Sequence, residues 1–218
     1  MNNIINHPSH TIPAHSTAYH HKPSGIGDHI AYGFVQGAVF FANLFFRERY
    51  GHRAVVLETV AAIPGMVGGL FQHLRSLRHI KSDHGWIKTL LDEAENERMH
   101  LIIFIHLARP TTLERLIIAV VQVIFYCLYF TIYLLSARVA HRLVGYLEEE
   151  ATRSYTHYLE QVEKNPQKNV AAPEVAIKYW GLPSDARLRD VIITTRSDEM
   201  RHRETNHAIA DKILHAHS

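Results

Sequence analysis

Apolar residues along this chain are gathered into long runs rather than spread evenly. The longest run, 116–135, holds twenty residues without a charged side chain, which is enough for a helix that enters a membrane. A second run, 30–46, is shorter and is followed at once by charged residues, as in helices at a membrane interface or in a protein core. The core of a helical domain is the alternative for both runs, because hydrophobic length alone does not separate these environments.

The rest of the pattern predicts helices only. No segment alternates polar and apolar residues between turn signals, as a half-buried strand does. Pro110 and Thr111 end one helix and offer an N-cap to the next, whereas Pro64 is expected to bend its helix without ending it. Pro166 and Pro183 mark two further boundaries. We therefore predict helices over 26–46, 50–77, 84–107, 111–135, 138–164 and 184–213.

Composition narrows the class of protein. The chain has 218 residues, a formal charge of +2, 47% hydrophobic residues and 20% charged residues. These values fit one globular domain and exclude a disordered chain, and the small charge argues against a nucleic-acid partner. The single cysteine, Cys127, excludes a disulfide framework and any zinc or iron–sulfur site built from thiolates.

The two ends of the chain differ from its middle. Residues 1–25 belong to a stretch rich in histidine, serine and proline, and we predict a disordered arm without an import signal. The histidines of the arm are able to bind metal, but a solvated tail is the preferred interpretation. Residues 26–213 form the single predicted domain, and residues 214–218 form a short tail.

Two predicted helices carry an E-x-x-H pair, and two others carry a glutamate in an apolar stretch. In each pair the carboxylate and the imidazole share one helical face. Four carboxylates and two imidazoles are the ligand set of di-iron and di-manganese carboxylate bundles. The carboxylates balance the charge of two divalent metals, and this mixture of ligands suits iron. The six residues are Glu58, Glu97, His100, Glu148, Glu199 and His202.

The order of these residues predicts how the helices connect. Glu58 and Glu97 are 39 residues apart, and Glu148 and Glu199 are 51 apart, so each pair fits a helical hairpin. The apolar helix 111–135 lies between the two hairpins and is a natural crossover. We therefore predict an all-α, ferritin-like four-helix bundle with two additional apolar helices.

Most glutamates and histidines on helices are solvated, which is the alternative for the whole set. The apolar neighbours of the chosen residues argue against it, because an unpaired carboxylate in an apolar environment is costly. Five other residues of these types are interpreted as ordinary surface groups: Glu93, Glu95, Glu149, Glu160 and His73.

Several segments resemble those of the alternative oxidases, which are cyanide-insensitive, membrane-associated ubiquinol oxidases with a non-haem di-iron centre. They are V-L-E-T, N-E-R-M-H-L, R-P-T-T-L-E-R-L-I-I, H-R-L-V-G-Y-L-E-E-E-A, Y-W-G-L-P and D-E-M-R-H, and the resemblance covers about residues 26–213. It implies a homodimer bound to one membrane leaflet through helices 26–46 and 111–135. It also implies oxidation of ubiquinol in a respiratory chain, with reduction of dioxygen to water and without proton pumping.

The resemblance also assigns roles to residues. It makes the six glutamates and histidines the ligands of two iron ions, with Glu97 and Glu199 as the bridging carboxylates. Tyr155 lies two helical turns after Glu148 on the same face and matches a tyrosine that the family places beside the di-iron centre as a radical or electron donor. The quinol pocket would involve, with Glu58, the residues Arg53, Leu57, Glu150, Ala151 and Ser154.

A second set of residues is expected to orient the ligands through hydrogen bonds. For His141, which shares the Glu148 face, a buried and capped histidine is an equal alternative. The set consists of Asn96, His141, Trp180 and Asp198.

The apolar runs and the resemblance together predict a monotopic membrane protein. A single crossing by 111–135 would leave Glu97 and Glu148 on opposite sides, although both must reach one metal pair. The short arm favours the cytoplasmic face of a bacterial inner membrane, with the matrix face of the mitochondrial inner membrane as the alternative. Competing functions are a di-iron hydroxylase of the quinone ring and a metal-binding bundle without enzymatic activity. Seven basic residues are expected at lipid headgroups: Arg47, Arg49, Arg109, Arg115, Arg138, His141 and Arg142.

Overall fold

The computed structural model describes residues 17–47 and 49–215, and their regular structure is almost entirely helical. The only β interaction within these ranges is an isolated antiparallel bridge between Ala171 and Arg187. The predicted all-α fold is therefore confirmed. A turn of 3-10 helix at Pro166–Lys168 accompanies the helices α1 Ile26–Phe46, α2 Tyr50–His79, α3 Trp86–Ala108, α4 Thr112–Leu135, α5 Ala137–Lys164, α6 Glu174–Trp180 and α7 Leu188–His215.

Four of the long helices form the bundle. Helices α2 and α3 pack as one hairpin, and α5 and α7 pack as a second. Helix α4 connects the hairpins and packs on α2 and α5, while α1 packs mainly on α5. The crossover and the ferritin-like arrangement predicted from the order of the glutamates are thus confirmed.

Each hairpin contains a glycine at a point of close approach. A Cβ atom on Gly65 of α2 would collide with the carbonyl oxygen of Leu90 in α3. A Cβ atom on Gly145 of α5 would collide with the ring of His207 in α7. A side chain at position 65 would therefore push the two backbones apart, and one at position 145 would displace the ring of His207.

Local sequence signals account for the start of α4 and the length of α2. Thr111 and Glu114 form a reciprocal capping box at the first turn of α4, which satisfies two of its free backbone amides. Pro64 lies inside α2, and the helix continues past it to His79, as predicted.

The prediction is wrong between α5 and α7. This segment contains α6, which was not predicted, and α7 begins at Leu188 instead of residue 184. Helix α6 has only seven residues, too few to display a hydrophobic period in the sequence. The backbone amide of Leu188 donates to the carbonyl of Val170 at 2.8 Å, so chain pairing occupies the residues just before α7.

Helices α1 and α4 expose apolar side chains, whereas α2 buries most of them. All three are long and apolar enough to cross a membrane by length and composition alone. Only 11% of the most apolar window of α1 and of α4 is buried, compared with 56% for α2. An exposed apolar surface of this kind marks an interaction site or a membrane contact. Its residues include Phe40, Phe41, Leu44, Leu116, Val123, Ile124 and Leu134.

Two of the seven basic residues expected at lipid headgroups are buried instead. Arg142 is 1% exposed; its guanidinium contacts the ring of His207, the carboxylate of Asp211 and, at 3.5 Å, the carboxylate of Asp28. His141 is fully buried. The prediction is wrong for both because they lie on the inner face of α5, which the preceding apolar run does not indicate.

The described end of the N-terminal arm contacts the bundle. His20 Nδ1 lies 2.6 Å from Glu149 Oε2, and the backbone amide of His21 donates to Glu149 Oε1 at 2.8 Å. The ring of His21 also stacks on that of His207, with 4.7 Å between centroids. His20 and His21 thus differ from the solvated tail expected there, while the domain boundary at residue 25 stays a prediction. The other arm histidines lie outside the described residues.

Candidate metal centre

The four bundle helices bring the six predicted ligands to one place. Helices α2 and α5 each supply one glutamate, and α3 and α7 each supply an E-x-x-H pair. All six residues are buried, with His202 the most exposed at 7% of the whole residue. Their ligand atoms form two groups, each with its atoms within 4.8 Å of one another: Glu58, Glu97, His100 and Glu199; and Glu97, Glu148, Glu199 and His202.

Glu97 and Glu199 belong to both groups. Their carboxylates therefore lie between two positions, each completed by one further glutamate and one histidine. This is the geometry that bridging carboxylates require, and it places the two residues where the resemblance expects them.

The ring of His100 is oriented by a carboxylate outside the cluster. Its Nε2 lies 3.1 Å from Asp198 Oδ2, so Nε2 carries the proton of this hydrogen bond. Its Nδ1 points into the cluster, 3.1 Å from Glu199 Oε1 and 3.3 Å from Glu58 Oε2. In the neutral ring, the Nδ1 lone pair is then available to a metal.

The cluster contains many polar atoms that no hydrogen bond satisfies. Buried atoms without a hydrogen bond are costly in a protein interior unless another group, such as a metal ion, accepts their lone pairs. The donor set is made of carboxylate oxygen and imidazole nitrogen, which fits iron or manganese. The unsatisfied atoms are Glu58 Oε2, both carboxylate oxygens of Glu97, His100 Nδ1, Glu199 Oε1 and His202 Nδ1.

The electrostatics of the cluster also call for positive charge. Burial, together with the neighbouring Glu199 and Glu97, raises the pKa of Glu58 well above its usual range, and the same causes raise the pKa of Glu148. Burial opposes ionisation of Glu97 too, but His202 and His100 together outweigh it and lower the pKa of that carboxyl. Protons therefore supply positive charge in the metal-free protein, and metal binding is expected to displace them.

The two histidines of the cluster gain protons for the same reason. Burial lowers the pKa of His100, but the carboxylates of Asp198 and Glu199 outweigh it and raise the pKa well above its usual range. Burial likewise lowers the pKa of His202, but the carboxylates of Glu97, Glu199 and Glu93 together outweigh it and raise the pKa well above its usual range.

Asp198 is the centre of a hydrogen-bond network around His100. Asp198 Oδ2 accepts from Trp180 Nε1 and from Asn96 Nδ2, each at 3.1 Å, and its other oxygen pairs with Arg201. Asn96 also donates to the hydroxyl of Tyr179 at 2.9 Å. The structure thus brings together three residues expected to orient ligands. Asn96 reaches the imidazole only through Asp198, whereas the ring of Trp180 also lies against that of His100, with 5.7 Å between centroids.

Tyr155 lies beside the cluster, as expected from its place on the Glu148 face. Its hydroxyl donates a hydrogen bond to Glu58 Oε1, and its ring stacks on Phe104 with 5.4 Å between centroids. The side chain is 2% exposed. Burial, followed by the charge of Glu58, raises the pKa of Tyr155 well above its usual range, so the phenol keeps its proton.

His141 does not contact the cluster directly. Its Nδ1 donates to Asn206 Oδ1 at 2.9 Å, and its Nε2 accepts from the hydroxyl of Tyr133 at 3.4 Å. Asn206 in turn donates to Glu93 Oε1 at 2.7 Å and to the carbonyl oxygen of His202 at 3.0 Å. Burial lowers the pKa of His141 to about 4, so this ring is neutral.

Glu93 and Asn206 are the residues that the sequence interpretation missed. Glu93 was interpreted as a surface group, which is wrong, since it is 5% exposed and burial raises its pKa to about 7. Its spacing of four residues before Glu97 was the available signal, because i and i+4 share a helical face. Asn206 follows His202 by the same spacing.

Glu149 was also interpreted as a surface group, and this too is wrong. It is 5% exposed and lies 3.1 Å from His207 Nε2, in addition to its contacts with the arm. The surface interpretation is confirmed for Glu95, Glu160 and His73, which are exposed.

An apolar cavity lies between α1, α2 and α5 and reaches the cluster at Glu148. Four of the residues expected at a quinol pocket line it. The α1 wall consists of small side chains such as Ala38 and Ala42. The four expected residues are Arg53, Leu57, Glu150 and Ala151.

Ser154, the fifth expected pocket residue, lies elsewhere. It lines a neighbouring, more polar cavity, and Arg53 and Glu150 border both spaces. The guanidinium of Arg53 bonds the side-chain oxygen of Asn43, yet its Nε is buried without a hydrogen bond. Arg53 is thus the positively charged residue that is able to bind a polar group entering the apolar cavity.

Known proteins resemble this chain along almost its whole length. The family described as alternative oxidase matches residues 11–211. A ubiquinol oxidase, mitochondrial, of Batrachochytrium dendrobatidis is 52% identical over 195 residues, which are 89% of this chain and 62% of that protein. Ubiquinol oxidase 2, mitochondrial, of Glycine max is 54% identical over 88% of this chain and 58% of that protein. Ubiquinol oxidase 1a, mitochondrial, of Arabidopsis thaliana is 52% identical over 88% and 54% respectively.

The chain thus spans about 54–62% of the length of these curated relatives. The family match nevertheless covers the bundle, both E-x-x-H pairs and the apolar helices α1 and α4. By its sequence and its buried carboxylate cluster, the chain belongs to the alternative oxidase family.

Proposed function

We propose that this protein oxidises ubiquinol and reduces dioxygen to water, without pumping protons, at a centre of two iron ions. The observation that carries the proposal is the contact between the buried ligand cluster and the apolar cavity at Glu148. A lipid-soluble reductant entering this cavity would arrive within reach of the ligands, while the bundle excludes water from them. The names of the relatives, ubiquinol oxidases, agree with this activity.

The six cluster residues would hold the metals, with Glu97 and Glu199 shared between the two positions. Bound iron would supply the electron transfer between quinol and dioxygen. Asp198 would keep His100 in the tautomer that presents Nδ1. Iron is proposed over manganese on the family resemblance, because the donor set alone fits both.

Arg53, Leu57, Glu150 and Ala151 would bind the quinol head, with Arg53 donating a hydrogen bond to a quinol oxygen. Ser154 would contribute only through the neighbouring polar cavity. Tyr155 is proposed as the catalytic residue that supplies an electron, because its oxidisable phenol is hydrogen-bonded to Glu58.

We propose that α1 and α4 lie in one leaflet of the membrane. Both expose apolar side chains along their length, and α5 lies against both of them. Helix α2, the third candidate span, carries Glu58 and is mostly buried in the bundle, which makes it unsuited to cross lipid. The names of the relatives favour the mitochondrial inner membrane over the bacterial membrane expected from the sequence.

We also propose a homodimer. Helix α2 exposes a second apolar stripe, separate from α1 and α4, with a spacing that keeps it on one side of the helix. A second copy of the chain would cover it. The stripe consists of Met66, Leu70, Leu74 and Leu77.

Oxygen uptake by the iron-loaded protein in liposomes tests the activity. We expect two quinols consumed for each dioxygen, with water as the product and an unmodified quinone ring by mass spectrometry. A hydroxylated quinone would indicate the competing hydroxylase, and iron binding without uptake would indicate a metal-binding bundle.

As a substrate-site test, Ala42→Phe should raise the KM for quinol, whereas Ala119→Phe, on the exposed surface of α4, should not.

Labelling sealed vesicles from each side tests the membrane placement. Single cysteines at the two ends of α4 should react with an impermeant reagent from the same side. Reaction from opposite sides would contradict the monotopic arrangement.

A further inference from the structure

An open cavity lies at the end of the bundle where α2 turns into α3. The last part of α7 closes one side of it through Lys212. None of the proposed iron ligands or quinol-binding residues lines this space. It is therefore separate from the site described above.

The lining of this cavity is strongly basic. Arg75, Lys81 and Lys212 carry permanent positive charges, and His79 and His84 lie beside them. Among the described residues, no ion pair joins any of the three permanent cations to a carboxylate, in contrast to Arg138 or Arg189 elsewhere. Three unpaired cations from two separate parts of the chain repel one another unless an anion lies between them.

The one carboxylate in the lining does not neutralise these cations. Asp83 Oδ2 accepts a hydrogen bond from the backbone amide of Ile87 at 2.8 Å, which holds it at the first turn of α3. That hydrogen bond lowers the pKa of Asp83, and it shows that the carboxylate caps the first turn of α3. The side-chain oxygen of Ser82 accepts from the amide of His84 at 3.1 Å, which fixes the turn between the helices.

One wall of the cavity borders the protein interior. Gln72 and Arg75 lie close enough to the hydroxyl of Tyr133 to lower its pKa, although burial outweighs them and raises that pKa to about 12. Tyr133 donates to His141, which continues to Asn206. The α2 side of the cavity thus lies next to a chain of buried polar side chains in the protein interior.

We propose that this cavity binds a phosphate-bearing anion. A phosphate group carries more than one negative charge, and it accepts the paired hydrogen bonds that an arginine fork donates. A group of this kind would meet Arg75, Lys81 and Lys212 together. Its source is either a soluble phosphate compound or a phospholipid headgroup, since the exposed apolar Ile80 lies next to the cavity.

Calorimetric titration of the full-length, iron-loaded protein in detergent with inorganic pyrophosphate tests the soluble source. Arg75→Gln and Lys212→Gln should each weaken binding about tenfold, the usual loss when one charged hydrogen bond is removed. The control is Lys168→Gln, which removes an exposed cation in the 3-10 turn after α5, outside the cavity lining, and should leave binding unchanged. Added salt should weaken binding, because the site is open to solvent.

Vesicle flotation tests the lipid source, with neutral phosphatidylcholine compared with the same lipid containing phosphatidylglycerol. If only the anionic vesicles distinguish wild type from the two variants, a headgroup is the anion. If pyrophosphate distinguishes them, a soluble phosphate compound is the anion. If the double variant R75Q/K212Q behaves like wild type in both experiments, the proposal is wrong. Both side chains are exposed, and unchanged helicity and iron content will show that the variants fold.

Discussion

The two E-x-x-H pairs look equivalent in the sequence, yet the structure holds their histidines in different ways. The ring of His100 is fully enclosed, and a carboxylate, Asp198, holds its outer nitrogen at 3.1 Å. The side chain of His202 is 9% exposed. Asn206 donates a hydrogen bond to the backbone carbonyl oxygen of His202 and so holds this turn of α7. One half of the cluster is thus fixed at the side chain, and the other half at the main chain.

The residues preceding each pair sharpen this comparison. Asn96 and Asp198 stand at the same place in their motifs, but both take part in the network around His100. Asp198 belongs to α7 and His100 to α3, so this hydrogen bond ties the two hairpins together. Equivalent motif positions therefore do not imply equivalent roles, because an outer hydrogen bond depends on which helix lies opposite.

The largest effect should come from a carboxylate that both halves share. Glu199→Ala removes a ligand from both groups, and we expect it to lose both iron ions and all quinol-dependent oxygen uptake. Glu58→Ala removes a ligand from the His100 half only, and should also abolish turnover while losing mainly one iron. Iron per chain, measured with oxygen uptake, checks both. Two bound irons in Glu199→Ala would contradict the assignment of shared ligands.

The next effect concerns the phenol, which only the Glu58–His100 half possesses. Tyr155→Phe keeps the ring that stacks on Phe104 and removes the hydroxyl that bonds Glu58, so packing should barely change. We expect the variant to fold, bind two irons and associate with membranes, yet lose most of its turnover. Tyr158→Phe, three residues along α5, serves as the control and should keep most activity. Wild-type turnover in an iron-replete Tyr155→Phe protein would remove Tyr155 from the mechanism.

How much of the cluster the sequence predicts depends on whether a signal is local. The six clustered residues follow from E-x-x-H spacing and apolar neighbours, since both are properties of single helices. The bundle order follows from the same residues because α4 is the only apolar helix between the hairpins. Tyr155 is predictable as well, since seven residues on one helix restore the same face.

Other features depend on packing between helices, which the sequence does not display. Glu93 and Glu149 look like surface residues, yet facing helices supply the partners Asn206 and His207 that make their burial tolerable. Arg142 is misjudged for the same reason, because its charge is balanced by partners from α1 and α7. The short helix α6 is missed because seven residues carry too little pattern.

A smaller effect is expected from the carboxylate that orients His100. Asp198→Ala removes the acceptor of the Nε2 proton and should reduce iron affinity or turnover about 10- to 100-fold. Asp198→Asn keeps an acceptor oxygen and should recover part of the loss. Asn96→Ala should cost less than Asp198→Ala, since Asn96 reaches the imidazole only through Asp198. Equal losses in iron affinity for Asn96→Ala and Asp198→Ala would show that the whole hydrogen-bond network, rather than one carboxylate, determines the orientation of the His100 ring.

The smallest effect on activity concerns the half held by Asn206, where the expected change is one of stability. Burial lowers the pKa of His141 to about 4 from its ordinary value of 6.5, because the neutral ring is favoured in the folded protein. Its contribution to the free energy of unfolding is therefore complete above pH 6.5 and is lost as the pH falls toward 4. The loss amounts to about 3 kcal/mol.

His141→Gln can still donate to Asn206 and accept from Tyr133 but does not titrate, so its unfolding free energy should fall less over this range. Urea unfolding at a series of pH values measures the difference, with the exposed His106→Gln as the control, whose slope should match wild type. Identical pH slopes for His141→Gln and wild type would mean that the folded protein does not keep the His141 ring neutral. The hydrogen bonds through Asn206 would then constrain their half of the cluster less than Asp198 constrains the other half.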